Sequence, residues 1–200
     1  ASYDKFAFLK DEAALRLVDR IDLMRRDFDF CLDVGAHDGR LSQHLASLGK
    51  IKTIVQSDPA ARFAINFFPD KVNHRETPFV AHDFITLPFA DKSFDGVFSC
   101  LNFHWVDDLP GLFVNIRRLL RPDGLCLVNL LGGDSLHELR ASLIAAEQDI
   151  TGGFSPRCAP MADIRDVGGL LGRAGLALPV ADSDRLTVNY PNMFRLMRDL

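Results

Sequence analysis

The stretch LDVGAHDG, residues 32–39, joins a short apolar run to a segment with helical spacing. An apolar strand, a turn holding two glycines and a helix beyond it have the outline of a nucleotide-binding unit. Working outward, LKDEAALRLVDRIDLMRR carries Leu9, Ala13, Leu17, Ile21 and Met24 at helical spacing, and FCLDV changes period to that of a buried strand. LSQHLASL predicts a short helix, and IKTIVQS a second strand ending at Asp58-Pro59. ARFAINFF predicts a helix closed by Pro69, TPFVAHD a third strand and GVFSCLNF a fourth. LPGLFVNIRRLL predicts a helix ending in a turn at Arg121-Pro122-Asp123-Gly124, before a fifth strand, LCLVNLL.

Strands alternating with helices predict an α/β, doubly wound, mostly parallel sheet covered on both faces. Its ligand belongs beyond the carboxyl ends of the strands, at the point where strand order reverses. After residue 134 the pattern loosens. Ser135 to Glu138 reads as a capping box opening helix LHELRASLIAAEQ. A Gly/Pro loop (TGGFSPRCAP), a helix (ADIRDVGGLLGRAG), a last strand (RLTVNY) and a final helix (NMFRLMRDL) follow. The expected organisation is one domain over 1–200. Residues 1–27 form an N-terminal helical part, 28–131 the nucleotide-binding core, and 132–200 a substrate-side part whose C-terminal end reads as incomplete.

At 48% hydrophobic and 25% charged, two hundred residues can bury a full core. No apolar run is long enough to span a bilayer, and the first ten residues lack a signal-peptide layout. A net charge of −4 argues against a nucleic-acid binder that works by neutralising phosphates. The four cysteines form no C-x-x-C pair, and three lie in apolar runs, so they read as core residues of a reducing compartment. No metal site is expected.

The ligand can be narrowed by charge. A dinucleotide turn would read G-x-G-x-x-G, whereas here Gly35 and Gly39 are spaced G-x-x-x-G. Asp33 also stands two residues before the first glycine, where a carboxylate would repel a pyrophosphate. A cationic ligand end would be attracted instead. S-adenosylmethionine has an ammonium, a sulfonium and no phosphate. Asp58, nineteen residues after Gly39, could accept hydrogen bonds from both ribose hydroxyls. Asp83 could accept from an adenine amino group, with the backbone N–H of Phe84 beside it facing the ring.

LDVGAHDG, Asp58, HDFITLPFADKSFDGVFSCLNFHW and LLRPDGLCLVNLL together resemble the ordered motifs of class I S-adenosylmethionine-dependent methyltransferases. SCLNFHWVDDLPG, LLGGDSLHELRASL, GGFSPRCAPMADIRDVGGLLGRAG and DRLTVNYPNMFRLMRDL are similar to the NADH:ubiquinone oxidoreductase complex assembly factor 5 family and its bacterial relatives. The resemblance implies a Rossmann-like methyltransferase fold, S-adenosylmethionine as cofactor and S-adenosylhomocysteine as product. It further implies a role in respiratory complex I assembly, with an arginine of a complex I subunit as the group hydroxylated. The location implied is cytoplasmic in a bacterium and the mitochondrial matrix in a eukaryote. Malonyl-acyl-carrier-protein O-methyltransferase is a more distant resemblance and a second reading; a non-catalytic assembly scaffold is a third. This sequence departs from the family in carrying His37 where the turn has its middle glycine, and in stopping before the family's final strand.

Several side chains have two readings. His37 is either a surface turn residue or a gate at the carboxypropyl end of the site. Asn102, His104 and Trp105 follow the fourth strand, where the methyl group would point. Asn102 could orient an acceptor nitrogen, His104 could be a general base or a structural histidine, and Trp105 is expected to pack as a wall. Asp134 and Ser135 read as caps, Phe154 and Arg157 as a lid or an ordinary loop, and Arg117-Arg118 as a solvated helix face. Methyl transfer needs positioning and exclusion of water, whereas oxygen insertion calls for a redox cofactor. No spacing of two histidines and a carboxylate suggests bound iron.

Overall fold

The computed structural model describes residues 7–60 and 78–199, so the helix expected over ARFAINFF lies outside the described residues. Helix α1 (Phe8–Asp22) leads to strand β1 (Phe28–Val34), helix α2 (Arg40–Ser47), β2 (Ile51–Asp58), β3 (Phe79–Ala81) and β4 (Phe94–Cys100). A 3-10 turn (Phe103–Trp105) follows, then α3 (Leu109–Leu119), β5 (Leu120–Asn129), α4 (His137–Thr151), α5 (Ile164–Arg173) and α6 (Met193–Asp199). The strands lie in the order β3-β2-β1-β4-β5, and every pairing is parallel. The order reverses between β1 and β4, which opens a crevice at their carboxyl ends.

The central strand explains the layering. Leu32 and Val34 of β1 point into one apolar cluster with Val97, Phe103, Leu112, Phe113 and Ile116. Cys31 points into another with Ala14, Leu17, Ile21, Leu41, Leu45 and Phe98. A strand buried on both faces needs a continuous apolar run, and FCLDV is one. Burial pushes the Cys31 and Cys100 thiols up to about 12, consistent with core packing. Helix α3 is capped by Asp108, whose side chain accepts from the Gly111 N–H at 2.9 Å.

Four expectations are corrected. Arg121-Pro122-Asp123-Gly124 does not separate α3 from the last strand. It forms an irregularity inside β5, where pairing jumps from Phe94↔Leu120 to Gly96↔Leu125 and Asp123 takes φ 63. The capping box is not formed, because Leu136 takes a left-handed φ of 54 and α4 begins at His137 without a side-chain cap. RLTVNY is irregular rather than a strand, and the acidic stretch before it is tied to α1 by Arg20–Asp182 (2.7 Å) and Arg16–Asp184 (3.7 Å). Arg117 and Arg118 are not idle. Arg117 donates to the Gly175 carbonyl (3.0 Å), and Arg118 to the Leu87 and Phe89 carbonyls and to Asp91.

Candidate functional site

Asp33 stands at the end of β1 with no solvent exposure. Its Oδ2 accepts the Ser42 hydroxyl from α2 at 2.6 Å, while Oδ1 is buried without a hydrogen-bond partner among the described residues. Burial pushes the carboxyl up to about 6, against the pull of the Ser42 hydroxyl and the Lys10 ammonium. An orphaned carboxylate oxygen is costly in an empty site, so it marks a place where a donor belongs.

The turn after β1 is held by β2. The Gly35 and Ala36 N–H groups both donate to the Ser57 carbonyl, at 2.8 and 3.0 Å. Gly35 and Gly39 take φ of +74 and +76. His37, at φ 49, keeps the left-handed conformation that a glycine would adopt readily. Its N–H donates to Asp58 Oδ2 at 2.8 Å. Its ring lies 3.8 Å from Asp38 Oδ1 and is only 24% exposed, more enclosed than a surface turn residue.

Asp58, the last residue of β2, is 5% exposed and accepts from two backbone groups, His37 N–H at Oδ2 and Ala60 N–H at Oδ1 (2.8 Å). Each carboxylate oxygen retains a second lone pair, so ribose hydroxyls could still donate there. Asp83 lies two residues past β3 and is exposed, with its Oδ1 accepting from the Ile85 and Thr86 N–H groups at 2.9 and 2.7 Å. That local turn is the bond an aspartate makes in a loop. Phe84 packs partly buried against the first apolar cluster. Because β1, β2 and β3 are neighbours in that order, Asp33, Asp58 and Asp83 step along one edge of the sheet.

Across the crevice, the Asn102 amide donates to the Gly35 carbonyl and, at 3.3 Å, to the Cys100 carbonyl. A β-carbon on Gly35 would lie 2.5 Å from the Asn102 side chain, so the two lips are in contact. His104 is half-buried, its Nδ1 has no partner among the described residues, and burial lowers its pKa. It is therefore neutral at neutral pH. Trp105 does not pack as a wall. The 3-10 turn drives Phe103 into the core and turns Trp105 out to 71% exposure, with only the His104 ring alongside at 5.1 Å.

Other residues here were not singled out by the sequence. Asp38, 3% exposed, pairs with Arg40 at 2.6 Å. Gln56, 2% exposed, brings its amide to 2.9 Å from where a Gly39 β-carbon would be. Lys10 is buried on α1. The expected lid residues lie elsewhere, on a hollow of about 250 Å³ that Phe154 and Arg157 line with Arg140, Leu143 and Ile144. Glu147 ties that loop down, accepting from Ser155 N–H (3.1 Å), Ser155 Oγ (2.6 Å) and Arg157 (2.6 Å). A larger, open hollow of about 450 Å³ lies at the amino ends of the strands, lined by Asp29, Phe30, Lys52, Thr53 and Arg121. It is remote from the crevice, and Arg121 there is spent on Asp95 at 3.0 Å. Among the described residues, no three His, Cys, Asp or Glu side chains gather as a metal site, and no helix is long and apolar enough to cross a membrane.

A parallel sheet with its glycine turn at the strand-order reversal defines a doubly wound nucleotide-binding protein. Residues 32–128 match the family model described as a methyltransferase domain. Over 98% of its length the chain is 42% identical to the mitochondrial arginine-hydroxylase NDUFAF5 of Mus musculus, of which it spans 56%. It is 32% identical to the malonyl-[acyl-carrier protein] O-methyltransferase of Methylovorus sp., covering all of this chain and 67% of that one. The fold matches phosphoethanolamine N-methyltransferase 2 of Haemonchus contortus with a TM-score of 0.62 at 19% identity, over 81% of this chain and 36% of the other. The chain belongs to the class I S-adenosylmethionine-dependent methyltransferase superfamily.

Proposed function

We propose that the chain binds S-adenosylmethionine along the carboxyl ends of β1, β2 and β3, as the cofactor-holding part of an enzyme that modifies an acceptor brought to the β4 side. The observation that carries this is Asp33, a fully buried carboxylate with one orphaned oxygen at the glycine turn. An ammonium would satisfy that oxygen and favour the ionised form. Asp58 would take the ribose, and Asp83 with the Phe84 N–H the adenine. The backbone of Gly35, His37 and Gly39 would form the floor.

The cofactor supplies an electrophilic methyl on sulfur, so the chain's work is to position groups and exclude water. Asn102 orients the lip through the Gly35 carbonyl. Neutral His104 stands ready to take a proton from the acceptor, and exposed Trp105 offers an apolar face to it. Residues 132–200 form the acceptor side of this single domain.

A second reading, arginine hydroxylation of a respiratory complex I subunit, rests on the 42% identity to an arginine-hydroxylase. For a eukaryotic source it would place the protein in the mitochondrial matrix, and for a bacterial one in the cytoplasm. Calorimetric titration with S-adenosylmethionine and S-adenosylhomocysteine, with Asp58→Ala as control, tests the binding claim. Saturable binding that the control loses supports it, and no binding to the wild-type chain refutes it. With an arginine-bearing subunit as acceptor, a mass gain of one methylene indicates transfer and one oxygen indicates hydroxylation. Partner binding unaffected by cofactor, with neither gain, indicates a scaffold.

A further inference from the structure

The buried charged residues among those described are Asp33, Asp38, Asp58 and one cation, Lys10. Lys10 is 9% exposed on the packed face of α1, in line with Ala14, Leu17 and Ile21. A buried lysine is rare without a partner. Its carbonyl lies over the Cys100 thiol (3.7 Å) at the end of β4, and the next residue, Asp11, reaches α2 through His44 (2.9 Å) and Arg40 (3.7 Å). Lys10 therefore stands over the β1–α2 turn. Its charge bears on both Asp33 and Asp38, yet it forms no ion pair with either. Asp38 is instead held by Arg40. Asp33 Oδ1 and Asp38 Oδ1 are both buried without hydrogen-bond partners beside it.

An ammonium close to carboxylates but bonded to none leaves room for a group carrying both charges. We propose that Lys10 binds the carboxylate at the amino-acid end of the cofactor while Asp33 binds its ammonium, which makes α1 part of the binding site. The proposal rests on the cofactor reading above. It also distinguishes ligands, since the amino-acid end is read as a zwitterion and a ligand lacking the carboxylate gains nothing from Lys10.

The test is calorimetry at about pH 8, where Asp33 is ionised with or without Lys10. Wild type, Lys10→Met and Lys10→Arg are titrated with S-adenosylhomocysteine, decarboxylated S-adenosylmethionine and methylthioadenosine. The expected result is a loss of about tenfold or more for S-adenosylhomocysteine in Lys10→Met, with the two ligands that lack the carboxylate unchanged and Lys10→Arg close to wild type. Retained methylthioadenosine binding shows that the variant is folded; if Lys10→Met does not fold, Lys10→Gln carries the same comparison. Equal losses for all three ligands, or no loss for any, overturn the proposal. Failure of the wild-type chain to bind any of the three overturns the cofactor reading itself and takes this proposal with it.

Discussion

Replacing Asp33 by asparagine removes the charge and keeps an acceptor for the Ser42 hydroxyl, so it isolates the cost of the buried carboxylate. Asp33 titrates at about 6 in the fold against an ordinary 3.8, a rise caused first by burial. The sign follows from linkage. Between these values the folded chain holds a proton that the unfolded chain has released, so stability falls as pH rises through that window. Two units correspond to about 3 kcal/mol, of which about 2.5 kcal/mol is lost between about pH 4 and pH 7.5. Asparagine does not titrate there. The stability difference, variant minus wild type, should therefore grow by about 2.5 kcal/mol over that range, a relative midpoint shift of roughly 5–10 °C for a chain of this size. Urea and thermal denaturation of both proteins at the two pH values provide the assay. A difference independent of pH would show that Asp33 is not a strained, solvent-starved carboxylate. A relative gain for wild type at high pH would refute the sign. The same group gives a binding prediction: S-adenosylmethionine affinity should rise as pH increases through about 6, because only the carboxylate attracts an ammonium.

Gly35→Ala should destabilise by about 2–4 kcal/mol in urea melts, since the added carbon meets Asn102 at 2.5 Å and φ is +74. Phe113→Ala removes a fully buried ring set edge-on to Phe103 at 6.0 Å, and should cost about 3–5 kcal/mol by the same assay. Glu147 is held at about 2 against an ordinary 4.5, first by its bond from Arg157, so its grip on the loop should fade as pH falls through that interval. Glu147→Gln should speed amide exchange at Ser155 at neutral pH while leaving the global unfolding midpoint in place; unchanged exchange would count against the tie.

The sheet was legible because its strands are apolar runs separated by turn chemistry, and β1 shows why this works: burial on both faces leaves little room for polar residues. Local rules failed where the outcome depended on distant partners. RLTVNY alternates as a strand should, with Leu186 and Val188 at 39% and 38% exposure, yet no described strand lies beside it to pair with. Ser135 and Glu138 have capping-box spacing, but the left-handed turn at Leu136 starts the helix later. Asp33 and Asp58 were legible from their places before and after the glycines, although how deeply Asp33 is buried was not. Lys10 was missed despite a usable signal, since it extends the buried stripe of α1 back by one turn from Ala14. A lysine on an apolar stripe is a conflict that sequence alone can flag.

The bond from Asn102 to the Gly35 carbonyl joins positions 67 residues apart. Its consequence lies in how the chain can vary over evolutionary time. With no space for a β-carbon between them, a side chain can arise at position 35 only if position 102 has already become smaller, and a larger residue at 102 requires glycine at 35. Among descendants of this sequence the two positions should change as a pair or remain fixed together.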